Sequence, residues 1–314
     1  MGRIHDALKK AQAERAKAGA KDRARSEGGN EGSETRSREQ ARSEAISLGS
    51  AGPADVAGAH LPLGFEELLS TGSSKSSWKP DTTRMLFFDG NARAKGREQF
   101  RTLRSRLLLL RNDRAIQKVL VSSPLSKEGK TFIAANLAQA FAQQAERRVL
   151  LVDADLRVSD LYTQFGTSHE PGLTDYLQGE VDEIGAIQRA PLANLFFVPA
   201  GRRVENPSEL IGNGRLKTFL GRVRDRFDWI ILDSPPVITV SDAKLLGEYC
   251  DGVLMVIAAG TTPIETAQKA CQEFRKDQLL GVVLNRMETR PGYSGAYDHG
   301  KAPEGSKGLE SDLR

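Results

Sequence analysis

Cysteine is nearly absent: Cys250 and Cys271 are the two in 314 residues. They lie far apart and neither has a CxxC partner. That argues against a disulfide framework and against iron–sulfur chemistry, and it suits a reducing compartment. Long apolar runs are missing too. No stretch approaches the ~18 residues needed to cross a bilayer, and the longest, near 252–260, has the length of a strand. The opening MGRIHDALKK is charged and has no apolar h-region, so it does not read as a secretory signal. A cytoplasmic location follows as an expectation, with any membrane association peripheral and borrowed from a partner. The net charge is +4. That small excess does not call for nucleic acid, whose binders concentrate basic residues on one face.

What is present is unevenly distributed. Large aliphatic residues are scarce over roughly the first 85 residues. Within residues 1–20, Ile4, Leu8 and Ala11 recur at helical spacing opposite Lys9, Lys10, Arg15 and Lys17, which reads as a basic N-terminal helix. Residues 21–88 are rich in Gly, Ser, Glu and Arg and read as a disordered linker, interrupted by a short apolar motif, LPLGFEELL, at 61–69. Residues 89–288 carry the core, and 289–314 form a polar, Gly-rich tail.

The core alternates β and α patterns. A helix is expected from residue 95, with Phe100, Leu103, Leu107 and Leu110 on one face. Strands are expected at 118–123, 148–155, 194–200, 228–234, 251–259 and 279–286. Helices are expected at 129–145, at 207–226, and from Ser241 and Pro263. The strands are continuous apolar runs, the pattern of burial on both faces. The fold class is therefore α/β, a doubly wound, mostly parallel sheet covered by helices.

The strand at 118–123 runs into SPLSKEGKT and then a helix, the setting of a P-loop. Backbone N–H groups of such a loop form an anion nest, and the helix N-terminus adds its dipole. Gly129 permits close approach of a phosphate, Lys130 can reach β and γ phosphates, and Thr131 can offer a hydroxyl to Mg²⁺. Pro124 stands where the strict motif has its first Gly. Further along, one strand ends in Asp153-Ala-Asp155-Leu-Arg157 and another in Asp233-Ser-Pro-Pro. Ligands of doubly wound sheets bind at the carboxyl ends of strands. Carboxylates placed there can hold a metal or take a proton from a hydroxyl.

Four stretches together are similar to the cytoplasmic catalytic domain of bacterial tyrosine kinases. SPLSKEGKTFIAANLA resembles the family's Walker A segment, VLLVDADLR its additional Walker A′ motif, and WIILDSPPV its Walker B. Glu98-x-x-Arg101-x-x-Arg104 resembles its oligomerisation motif. GLTDYLQGE, NPSEL and GVVLNR also resemble family segments. The resemblance implies the partition-ATPase-like branch of P-loop NTPases, with a deviant Walker A.

It further implies an ATP-dependent protein-tyrosine autokinase that regulates capsule or exopolysaccharide synthesis and export. ATP would be held by Ser126, Lys127, Glu128, Gly129, Lys130, Thr131 and Phe132, with Asn285 and Arg286 at the base. Mg²⁺ would be held by Thr131, Asp153 and Asp233. Lys130, Asp155 and Asp233 would serve catalysis, with Asp155 accepting the tyrosine proton. Tyr293 and Tyr297 would be phosphoacceptors, although members usually carry a denser tyrosine cluster than these two. Implied partners are a ring of identical chains joined through Glu98, Arg101 and Arg104, and a membrane polysaccharide co-polymerase or chain-length regulator that lends an activating cytoplasmic segment. A cognate phosphotyrosine phosphatase is a further one; nucleic acid is not.

Two other readings share these motifs. One is a switch ATPase of the partition or septum-positioning kind. Leu125 occupies the place of its second lysine, and Lys127 comes two residues later. The other is a non-catalytic, nucleotide-binding regulatory subunit of a polysaccharide assembly machine.

Overall fold

The computed structural model describes residues 78–88 and 94–287. The first helix is α1 (Ala94–Asp113), followed by β1 (Lys118–Ser122), α2 (Lys130–Ala142) and β2 (Val149–Asp153). Three short helices come next, α3 (Leu161–Phe165), α4 (Leu173–Gln178) and α5 (Glu183–Ala186), then β3 (Gln188–Arg189) and β4 (Leu195–Val198). After them come α6 (Pro207–Gly212), α7 (Arg215–Val223), β5 (Trp229–Asp233), α8 (Asp242–Gly247), β6 (Gly252–Ala258), α9 (Ile264–Gln272) and β7 (Leu279–Asn285).

These strands form one sheet in the order β3-β4-β2-β5-β1-β6-β7. Every pairing is parallel except β3 with β4. The apolar runs explain this. Val149 to Asp153 and Trp229 to Asp233 are buried at every residue, which requires helices on both faces. One face packs Leu173, Tyr176, Phe219, Leu220 and Leu246 from α4, α7 and α8. The other packs Phe100 and Leu107 of α1 and Ile133, Leu137 and Phe141 of α2. Phe141 stacks on the fully buried Trp229, with ring centroids 4.2 Å apart.

The strand order positions the site. β1, β5 and β2 are neighbours, so their carboxyl ends lie side by side. Asp153 pairs directly with Asp233 in the β2–β5 register, and Asp233 sits opposite Val121 of β1.

Two expectations are corrected. The linker expected over 21–88 does not extend through residues 78–88. Met85 and Leu86 are buried, and Trp78 packs edge-on against Phe165 and Phe197. The buried amides of α2 anchor the segment. Asn136 Oδ1 accepts the Leu86 N–H at 2.8 Å, Asn136 Nδ2 donates to Arg84 O at 2.8 Å, and Gln139 Oε1 accepts the Phe87 N–H at 3.2 Å. The polar composition of 21–88 as a whole masks the apolar cluster at its end. The other correction concerns the helix expected over 207–226, which is broken. Gly214 adopts φ 84°, a left-handed conformation that no continuing helix allows, and Asn213 Oδ1 accepts the Arg215 N–H at 2.9 Å to start α7. The remaining parts of the linker, residues 1–20 and the tail lie outside the described residues.

Met85 is fully buried in the same core cluster as the apolar residues of α1 and α2. Met85→Ala is expected to cost about 2–5 kcal/mol in urea denaturation. A change within about 0.5 kcal/mol, as at an unpacked surface position, would show that the segment does not belong to the core.

Candidate active site

The loop between β1 and α2 is shaped by two left-handed residues, Lys127 at φ 65° and Gly129 at φ 96°. Left-handed residues ahead of a helix N-terminus are suited to loops whose N–H groups receive an anion. A Cβ on Gly129 would stand 2.1 Å from Asn285 Nδ2, so a side chain here would displace Asn285 and would also strain the left-handed backbone. Ser126 and Lys127 are exposed at the loop's tip, whereas Glu128 is buried. Glu128 ties the loop to the far end of the sheet. Its Oε1 accepts the Thr262 hydroxyl at 2.5 Å, and its backbone carbonyl accepts Asn285 Nδ2 at 2.8 Å. Burial raises the Glu128 carboxyl above its ordinary value, against the Thr262 hydroxyl.

Lys130, the first residue of α2, points back across the strand ends. Its Nζ lies 3.0 Å from Asp155 Oδ2, and both side chains are largely buried. Burial alone would depress this amine. Asp233, Asp155 and Asp153 outweigh burial and raise it. Asp155 is held on its other oxygen as well, since Oδ1 accepts the N–H of Val158 at 3.0 Å and of Arg157 at 3.3 Å. Asp153 Oδ2 accepts the Ser159 hydroxyl at 2.6 Å.

The electrostatics are those of a crowded acidic floor. Asp153 is raised well above the carboxylate range, first by burial and next by Asp233, with the Ser159 hydroxyl opposing. Asp233 is pushed up to about 6 by burial, with Lys130 and Thr131 pulling the other way. Asp233 Oδ1 is buried without a hydrogen-bond partner. Such an oxygen, beside a second strained carboxylate, favours an added cation. Among the described residues no group of three or more His, Cys, Asp or Glu forms a metal cage. The donor set of one hydroxyl and two carboxylates resembles instead a hard cation's site completed by water and phosphate.

The structure thus brings Lys130, Thr131, Asp153, Asp155 and Asp233 together below the loop, with Asn285 at its side. Phe132 is placed differently. Its ring packs edge-on to Phe100 at 5.7 Å, which leaves its backbone for a ligand. The expected oligomer motif divides. Glu98 and Arg101 pair on the surface at 3.2 Å, whereas Arg104 turns inward and donates to Ala140 O at 2.6 Å. Tyr293 and Tyr297 lie outside the described residues. Ser159 and Thr262 carried no sequence signal. Each is a lone hydroxyl whose partner is distant or irregularly spaced.

The CobQ/CobB/MinD/ParA nucleotide binding domain family matches over residues 119–299. Tyrosine-protein kinase YwqD of Bacillus subtilis is 35% identical over 208 residues, which make up 64% of this chain and 87% of YwqD. The chain belongs to the bacterial tyrosine kinase family. Among solved structures, the chimerical protein CapA2B2 matches with a TM-score of 0.62 at 28% identity, over 71% of this chain and 99% of that one. The tyrosine-protein kinase Wzc of Salmonella typhi is 30% identical over 205 residues, 65% of this chain but 28% of Wzc, so the chain spans little more than a quarter of that relative. Among the described residues of this tyrosine kinase family member, no helix is long and apolar enough to cross a membrane.

The raised Asp233 sets a pH dependence. Its folded value of about 6 lies above the ordinary 3.8, so folding favours the protonated form. The ionised carboxylate therefore costs stability above about pH 6, and the cost fades as pH falls from there toward 3.8. Asp233→Asn removes the charge and keeps the shape. In thermal or urea unfolding of the nucleotide-free protein it is expected to stabilise by roughly 1–3 kcal/mol at pH 8, with the gain gone near pH 4. Equal stability of the two proteins at pH 8 would contradict the assignment.

Proposed function

We propose that the chain is an ATP-dependent protein-tyrosine autokinase serving capsule or exopolysaccharide synthesis and export. One observation carries the reading. Lys130, Asp155, Asp153 and Asp233 converge beneath a left-handed phosphate loop, in a chain 35% identical to a tyrosine-protein kinase.

In this reading the loop amides from Ser126 to Phe132 cradle the phosphates, and Asn285 and Arg286 flank the base. Thr131, Asp153 and Asp233 would hold Mg²⁺. The fit rests on the partnerless Asp233 oxygen and the burial-strained Asp153. A cation held there would supply charge neutralisation to the bound phosphates. Lys130 leaves Asp155 for the γ-phosphate and balances charge developing on the transferred group. Asp155, released, accepts the proton of a tyrosine hydroxyl. The tyrosine oxygen bonds to the γ-phosphorus as the bond to the bridging oxygen breaks, and ADP leaves with that electron pair. Most of the rate gain comes from positioning and electrostatics.

The acceptors are Tyr293 and Tyr297 of a neighbouring copy in a ring. Glu98 and Arg101 remain on the α1 surface to join copies, with Arg104 bracing the helix from within. A membrane co-polymerase supplies the activating segment and holds the kinase at the cytoplasmic side of the inner membrane. A phosphotyrosine phosphatase resets it.

Purified protein incubated with Mg-ATP and blotted for phosphotyrosine tests the reading. Wild type is expected to give a signal that falls at least about a hundredfold in Lys130→Ala. The signal should vanish in Tyr293→Phe/Tyr297→Phe. Phosphate release without phosphotyrosine would instead indicate a switch ATPase, and neither product a regulatory subunit.

A further inference from the structure

The turn that carries Asp155 is tied to two distant helices by a single buried carboxylate. Asp242, the first residue of α8, is fully buried. Its Oδ2 accepts Arg157 Nε at 2.7 Å and its Oδ1 accepts Arg157 Nη2 at 3.0 Å, a two-pronged pair. Oδ1 also accepts the hydroxyl of Ser208, near the start of α6, at 2.5 Å. Arg157 Nη2 donates in turn to Ser208 Oγ at 3.1 Å, which closes a triangle.

Arg157 is the residue whose backbone N–H, with that of Val158, donates to Asp155 Oδ1. Its side chain is thus clamped by Asp242 while its main chain holds the carboxylate that faces Lys130. A lysine could supply the charge but not the planar fork, so the clamp depends on the guanidinium.

We propose that Asp242 is a positioning residue for the phosphoryl transfer, acting through Arg157 and Ser208 to fix the turn that aims Asp155. The role rests on the kinase reading above. Asp242 touches neither the phosphate loop nor the acidic floor in any hydrogen bond of the structure. Its effect therefore falls on the chemical step rather than on nucleotide affinity. Displacements of about 1 Å at a reacting group cost on the order of a hundredfold in rate. Loss of a supporting partner of this kind costs about ten- to hundredfold.

The test compares wild type, Asp242→Asn, Arg157→Lys and the double variant in the full chain. Two quantities are measured: kcat for phosphotyrosine formation, and affinity for a fluorescent ATP analogue with Mg²⁺. Asp242→Asn and Arg157→Lys are each expected to lower kcat about ten- to hundredfold with nucleotide affinity within about twofold of wild type. The double variant is expected to be no slower than the worse single one, because the two residues act as a unit. Ser208→Ala removes the hydroxyl that donates to Asp242 and accepts from Arg157, and leaves the ion pair. It covers the case in which Asp242→Asn does not fold, and a severalfold fall in kcat at unchanged affinity is expected of it. An unchanged kcat in the folded variants overturns the proposal and leaves the kinase reading standing, as does a parallel loss of kcat and affinity. A wild type that makes no phosphotyrosine overturns both.

Discussion

Three carboxylates buried around one amine set the terms for everything else in this molecule. Asp153 and Asp233 are register partners on adjacent strands, so they cannot move apart without breaking the sheet. Each is almost fully buried, as is Asp155, and the Lys130 amine, paired with Asp155, offsets charge on all three. Isolated ionised groups are expensive to bury, and like charges at this range raise the cost further. Alone, the arrangement is electrostatically incomplete. It gains most from a ligand that brings a cation to the acids and an anion to the loop above them, which is the chemistry of a metal–nucleotide complex.

The rest of the fold keeps that arrangement from relaxing. The central strands are continuous apolar runs buried on both faces, so their ends are fixed by packing on two sides. The helix that begins at Lys130 is braced along its length. Residues 78–88 hydrogen-bond to Asn136 and Gln139, α1 packs Phe100 against Phe132, and Arg104 bonds the carbonyl of Ala140. A helix held at so many points cannot withdraw its first residue from the acids. The loop before it is held from the ends of β6 and β7, through Glu128, Thr262 and Asn285.

Much of this could be read from the residues. Uninterrupted apolar strands announced a parallel sheet, and the glycine, lysine and threonine at 129–131 announced the loop. Asp153 and Asp233 were legible because each ends a strand, whereas Asp155 lies past the end of β2 and is aimed by the turn that follows. What escaped reading depends on contacts distant in sequence. The apolar cluster at 85–88 was diluted by the polar residues before it. The break at 212–214 hinges on a glycine conformation inside an otherwise helical pattern. β3 has two residues and takes its identity from pairing with β4. Arg104 has the spacing of a surface charge row, but a carbonyl at the end of α2 draws it inward. Asp242 and Ser208 meet Arg157 only because the chain returns twice to the same end of the sheet.

With Asp153 and Asp233 both raised by burial, an arriving metal–nucleotide complex is expected to displace protons from the acidic floor. Calorimetric titration of the preformed Mg²⁺ complex of a non-hydrolysable ATP analogue, at pH 6 in two buffers of different ionisation enthalpy, measures the protons released on binding. Net release is expected from the wild type, and a smaller release from Asp233→Asn. Equal release from the two proteins, or none from the wild type, would show that Asp233 is not protonated ahead of binding.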